Sequence, residues 1–155
     1  MSTVPTLNGQ VIGQTHYATR ALLERAVAPL GLGFGEVLTL NVLAAGAVER
    51  TRVVQRITST LKVDEAAVHT LIAHLVEAGL ARSDDHADAP QVALTDDGLA
   101  VQGRVSKAVA GITARLYADI PADEMSTAAR VLTLVTQRAN AELAAMPAGA
   151  VVAQK

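Results

Sequence analysis

The sequence has no cysteine and no tryptophan, and its only aromatics are Tyr17, Tyr117 and Phe34. Without cysteine there is no disulfide framework, no thiolate metal site and no thiol redox sensor. So few aromatic rings leave no platform for stacking unpaired bases, which argues against single-stranded nucleic acid as the ligand. Positive charge is also scarce: 13 Lys and Arg stand against 15 Asp and Glu, a formal net charge of −2. Such a chain lacks the global basic field of a tight non-specific nucleic-acid binder, although a local patch can act within a near-neutral whole. No apolar run approaches the length of an uncharged membrane span. Residues Met1 to Thr6 lack the basic-then-apolar pattern of a signal peptide. The expectation is a cytoplasmic protein with no membrane partner.

What is present is aliphatic. Half of the 155 residues are hydrophobic, mostly Ala, Val and Leu, which favours helices and excludes a disordered chain. The length suits one domain, or one DNA-binding unit with a dimerisation arm.

Residues 1–9, with Pro5, Asn8 and Gly9, read as an arm. From Gln10 to Ala28, Ile12, Leu23 and Val27 recur at helical spacing, with Leu30 just beyond. Pro29, Gly31, Gly33 and Gly35 are expected to stop that helix. His16 shares a face with Ile12 and Leu23; Tyr17 flanks it and Arg20 lies a turn further on. A second helix is expected from Glu36 to Ala45, ended by Gly46.

Residues 50 to 95 organise the rest. Thr51 to Thr60 forms a short helix with Val53, Val54 and Ile57 inward and Arg52 and Arg56 sharing an outer face at i, i+4. The turn Thr60-Leu61-Lys62-Val63 leads to Asp64, a good N-cap. The next helix, Glu65 to about Ala78, gathers Val68, Leu71, Ile72 and Leu75 on one side at about 100° per residue. Its other side presents Ala66, Thr70, Ala73 and Glu77, flanked by His69 and His74, with Gly79 as the stop. Leu80-Ala81-Arg82 and Gln91-Val92-Ala93-Leu94 then read as two strands around a turn from Ser83 to Pro90. A short helix, a turn, a longer helix and a hairpin make a winged helix-turn-helix.

Thr95 is an N-cap followed by Asp96 and Asp97, in a first turn where the helix dipole favours anions. That helix is expected to reach about Ala118, with Gly103 and Gly111 pointing to close packing, a bend or a tolerated defect. Pro121 suits the first turn of a last helix running to about Ala145, and 147–155 reads as a tail. The long terminal helices carry apolar stripes that a single copy would leave exposed, so a two-fold homodimer is expected. The fold class is mainly α with a small β-wing. Residues 10–32 and 96–146 form dimerisation helices around a winged helix-turn-helix lobe at 33–95.

This order of elements resembles the MarR family of winged-helix regulators. The resemblance rests on Leu94-Thr95-Asp96-Asp97-Gly98 after the wing and on the pattern Val68, Leu71, Ile72, Leu75, Gly79, Leu80 before it. It covers residues 10 to 145. It implies a triangular homodimer that represses transcription from pseudo-palindromic duplex DNA. It also implies release from DNA by a small, often aromatic or anionic effector held between the dimerisation helices and the winged lobe. The recognition helix then corresponds to 65–78, with His69 and Thr70 at positions that touch DNA. Wings of this family carry Arg at the tip, whereas here the tip from Asp85 to Pro90 has none, and His86 stands there instead. Residues 47–90 hold five basic residues against seven acidic ones, a net of −2, and phosphate neutralisation drives affinity. The expected surface is therefore a weak one.

The candidate DNA-binding set is Arg52, Arg56, Lys62 and Arg82 for phosphates, with His69, Thr70 and His74 towards base edges and His86 at the wing tip. The candidate effector set is His16, Tyr17 and Arg20, with Arg20 pairing an anionic group. A helix-packing role for His16 and a surface position for Arg20 stand beside that assignment. His69 and His74, five apart, lie about 140° apart around a helix, so no single-chain metal site is expected, which leaves only one shared between copies. There is no nucleophile elbow, phosphate loop or dinucleotide fingerprint, so neither an enzyme nor a cofactor is expected. A second class of function keeps the fold and drops the DNA: a MarR-like dimer that binds a small molecule or a protein, its DNA surface stripped of charge.

Overall fold

The computed structural model describes residues 4–146; the expected tail at 147–155 and the first three residues of the arm lie outside them. The chain divides into two compact units, Met1–Ile112 and Thr113–Lys155.

In the first unit, helix α1 (Gly9–Val27) starts at Asn8, whose side chain accepts the Val11 N–H at 3.0 Å. It closes into a single 3-10 turn, Ala28–Leu30, with Pro29 early in the turn and Gly31 left-handed after it. Helix α2 follows at Phe34–Leu43, so Gly35 lies inside a helix and does not stop one. Its role is steric: a Cβ there would come within 2.8 Å of Leu71 Cδ2. The missing side chain lets α2 seat on the helix that carries Leu71. Glu36 accepts the Gly33 N–H at 3.1 Å, one half of a capping box.

A two-residue strand β1 (Val48–Glu49) precedes helix α3 (Arg50–Leu61). Two residues show no periodicity, and β1 exists because β3 offers it a ladder. Helix α4 (Glu65–Glu77) begins where Asp64 accepts the Ala67 N–H at 2.9 Å. The turn between α3 and α4 places Lys62 in the left-handed region, φ 58°.

Strands β2 (Ala81–Asp84) and β3 (Gln91–Leu94) form the wing, and the antiparallel sheet has the order β1-β3-β2. Val92 pairs with Val48 on one side and Ser83 on the other. This register turns Ala81, Val92 and Leu94 into the core and leaves Arg82 and Asp84 exposed. The core joins Val37, Leu40 and Leu43 of α2, Val53, Val54 and Ile57 of α3, and Val68, Ile72 and Leu75 of α4 to that sheet face. Of the inward positions expected from periodicity in α3 and α4, all are buried except Leu71, which is partly buried against the core.

Helix α5 (Asp96–Leu116) starts against the wing's root. Thr95 Oγ1 accepts the Gly98 N–H at 3.1 Å and donates to the Gly79 carbonyl at 2.6 Å. One side chain thereby caps the start of α5 and ties it to the turn that follows α4. Gly103 is not required by packing in the single chain, since a Cβ there meets nothing within 4 Å.

The second unit contains helix α6 (Ala122–Ala145), with Pro121 as its N-cap and Asp123 and Glu124 in its first turn. None of its residues is buried in the single chain. Leu132, Val135 and Leu143 are exposed at 39, 42 and 55%. Among the described residues no single helix is long and apolar enough to cross a membrane.

Candidate nucleic-acid interface

The core fixes what α4 can show. With Val68, Ile72 and Leu75 buried, Ala66, His69, Thr70, Ala73, His74 and Glu77 are exposed. That face holds neither Lys nor Arg. Thr70 Oγ1 donates to the Ala66 carbonyl at 3.0 Å, leaving its oxygen lone pairs to accept from outside. His74 turns towards α2, its Nδ1 3.6 Å from Glu36 Oε1. The structure thus keeps His69 and Thr70 together and draws His74 towards a carboxylate.

The residue that joins the recognition helix to the wing is Arg50, the first residue of α3. Its backbone N–H donates to the Pro90 carbonyl at 2.8 Å, tying the helix start to the residue that precedes β3. Its side chain, 24% exposed, donates from Nε to His69 Nδ1 at 3.1 Å and from Nη1 to Ser83 Oγ at 3.0 Å. Ser83 Oγ in turn donates to Asp85 Oδ1 at 2.7 Å, and that oxygen lies 3.9 Å from Arg50 Nη1. The guanidinium fork thereby spans α4 and both ends of a short wing relay. Sequence reasoning missed Arg50, Ser83 and Asp85 as a group. The three positions follow no periodic pattern, and the only signal was a basic residue at a helix start, where the dipole disfavours it.

Arg52 and Arg56 sit elsewhere. With Ala47, Val48, Glu49 and Gln91 they line an open cleft of about 570 Å³ at the β1–β3 edge, and no residue of α4 lines it. Arg56 also borders a smaller cavity of about 310 Å³ with Leu38, Asn41, Val42, Ile57 and Thr60. Among the described residues neither Arg52 nor Arg56 has a carboxylate within 4.0 Å. Arg82 is exposed on β2, opposite Ala93, and Lys62 is exposed at the turn before α4. His86 lies in the exposed turn of the wing, its backbone N–H donating to Asp84 Oδ1 at 3.3 Å. None of the predicted basic residues therefore lies on the α4 face itself, and Arg52 and Arg56 line the separate β1–β3 cleft.

The N-terminal cluster is equally specific. Arg20 stacks its guanidinium 4.7 Å from the centroid of the Phe34 ring, and its Nε lies 2.5 Å from Glu24 Oε1. His16 meets Phe34 edge-on at 6.1 Å and Tyr17 at 5.5 Å between ring centroids. His16 and Tyr17 are exposed in the single chain. Phe34 is the member that the sequence did not suggest, because it comes from the next helix. The Glu24 carboxylate already engages Arg20, so an anionic ligand here has to compete with it.

Among the described residues no group of three His, Asp or Glu side chains is placed to hold a metal ion. No family model and no curated protein matches the sequence. Solved structures do match. A MarR-family transcriptional regulator from Rhodococcus sp. RHA1 superposes with TM-score 0.71 at 19% identity, covering 83% of this chain and 92% of its own. CouR from Rhodococcus jostii RHA1, bound to p-coumaroyl-CoA, gives 0.70 at 17% identity over 83% and 90% of the two chains. A mutant MarR from E. coli complexed with operator DNA gives 0.68 at 21% identity over 82% and 91%. The chain therefore shares the fold of these solved MarR-family structures.

Proposed function

We propose that the protein is a MarR-family transcriptional repressor that binds pseudo-palindromic duplex DNA as a homodimer and releases it when a small effector binds. The observation that carries this reading is the exposed His69–Thr70 face of α4, braced through Arg50 against the wing. Bracing fixes the helix and the hairpin relative to each other, which a two-groove contact needs. The fold neighbour complexed with operator DNA supports the same use of these elements. Arg52, Arg56, Lys62 and Arg82 contact phosphates at the edges, and His86 approaches the backbone from the wing. In this reading the protein acts in the cytoplasm.

Apolar side chains left exposed on α1 and α6, among them Val11, Leu22, Leu132 and Val135, support the homodimer. The effector site is the cluster of His16, Tyr17, Arg20 and Phe34. Rings set at an angle to one another beside one cation suit an aromatic acid, whose carboxylate would displace Glu24 from Arg20.

The charge of the interface favours a second reading, a MarR-like dimer that binds a small molecule or a protein and has lost most DNA affinity. Asp84, Asp85 and Asp88 crowd the wing, and the α4 face has no Lys or Arg. An electrophoretic shift on the DNA upstream of its own gene, at low salt, separates the two. A sequence-specific shift at micromolar protein is the expected result, and its absence favours the second reading. Thermal shift with aromatic acids, on wild type and on Arg20→Ala, tests the effector cluster: stabilisation of the wild type alone is expected.

A further inference from the structure

Arg50 does more than brace the wing. A guanidinium has only donors, so its Nε–H can meet the His69 ring only at a nitrogen that carries a lone pair. That nitrogen is Nδ1, 3.1 Å away. A neutral imidazole whose Nδ1 accepts must carry its proton on Nε2. Among the described residues Nε2 has no partner, and His69 is exposed on the face of α4 that also bears Thr70.

Resting on the DNA-binding reading above, we infer that Arg50 is a positioning residue that fixes His69 as a hydrogen-bond donor, so that His69 selects against cytosine in the major groove. Purine N7, guanine O6 and thymine O4 are acceptors on that groove edge. Cytosine offers only its N4 amino group, a donor. A donor held at Nε2 matches the first three and opposes the last. Without Arg50 the ring flips or changes tautomer, presents either a donor or an acceptor, and the discrimination is lost. The recognition face thus obtains part of its specificity from a residue that need not touch the base.

The experiment selects binding sites from a randomised duplex pool with full-length wild type, His69→Ala, Arg50→Met and Arg50→Lys. In the wild type, one position in each half-site should exclude cytosine by about tenfold, the scale of a single base-edge contact. His69→Ala and Arg50→Met should both relax that position and leave the others unchanged. Arg50→Lys, which keeps a cationic donor, should restore the exclusion. Long-range ¹H–¹⁵N spectra of the free wild type should show the His69 proton on Nε2, and Arg50→Met should perturb the His69 ring while the backbone spectrum stays folded. Enrichment of sites that are identical in wild type and His69→Ala overturns the inference and leaves the regulator reading standing. So does a wild-type His69 proton on Nδ1, or a relaxed position that was a cytosine. No enrichment by the wild type overturns the regulator reading and the base contact together.

Discussion

Gly98 lies so close to Leu80 that a Cβ on it would stand 1.9 Å from the Leu80 carbonyl oxygen. That oxygen is not free to move, because it accepts the Thr95 N–H at 3.0 Å. The glycine two residues after Asp96 is therefore the point at which α5 enters against the end of α4. Gly98→Ala should lower the stability of the fold by about 3 kcal/mol, the upper part of the usual overpacking range. Urea denaturation followed by circular dichroism measures it. An unchanged midpoint would show that the helix start can shift at little cost.

Thr95 serves both ends of that junction, accepting from Gly98 N and donating to Gly79 O. Thr95→Val keeps the shape and removes both bonds, and should cost about 1–2 kcal/mol. Thr95→Ser, which retains the hydroxyl, should stay close to wild type. Thermal melts of the two variants side by side test the assignment, and equal losses would contradict it.

Arg52 and Arg56, exposed and clear of carboxylates, are proposed to neutralise phosphates without reading bases. Each Arg→Ala change should weaken binding to all duplexes alike and reduce the slope of log affinity against log salt by about 1. Fluorescence anisotropy across a salt series reads both quantities. A loss confined to one sequence would move the residue from phosphate to base contact.

Leu132 and Val135 lie one turn apart on α6 and are exposed in the single chain. If a second copy covers them, Leu132→Glu together with Val135→Glu should convert a dimer to a monomer in sedimentation velocity. Helix content should be retained, since glutamate is a good helix former. A dimer that survives both changes would place the interface on other residues.

Much of the fold was readable because its causes are local. The spacing of Val68, Leu71, Ile72 and Leu75 predicts which side of the recognition helix faces the core; three of them are buried and Leu71 is partly buried against it. Asp64 and Thr95 predict helix starts, and both accept a backbone N–H. Gly35 was misread for the opposite reason: a glycine near a helix stop looks like part of it, and only Leu71, distant in sequence, explains its place inside α2. Strand β1 was missed because two residues form no pattern until β3 pairs with them.

Local residue patterns are enough to define the helices, their inward faces, the wing and the scarcity of positive charge on the recognition surface. Each depends on residues within a few positions of one another, where backbone geometry sets the distance. What those side chains meet depends on contacts between elements far apart in the chain. Arg50 meets His69 across 19 residues and Ser83 across 33. Arg20 finds Phe34 on a different helix, and His74 is drawn to Glu36 across the α2–α4 packing. Such pairs are formed by the buried core that brings α1, α2, α3, α4 and the wing together, and no periodicity along the chain records them.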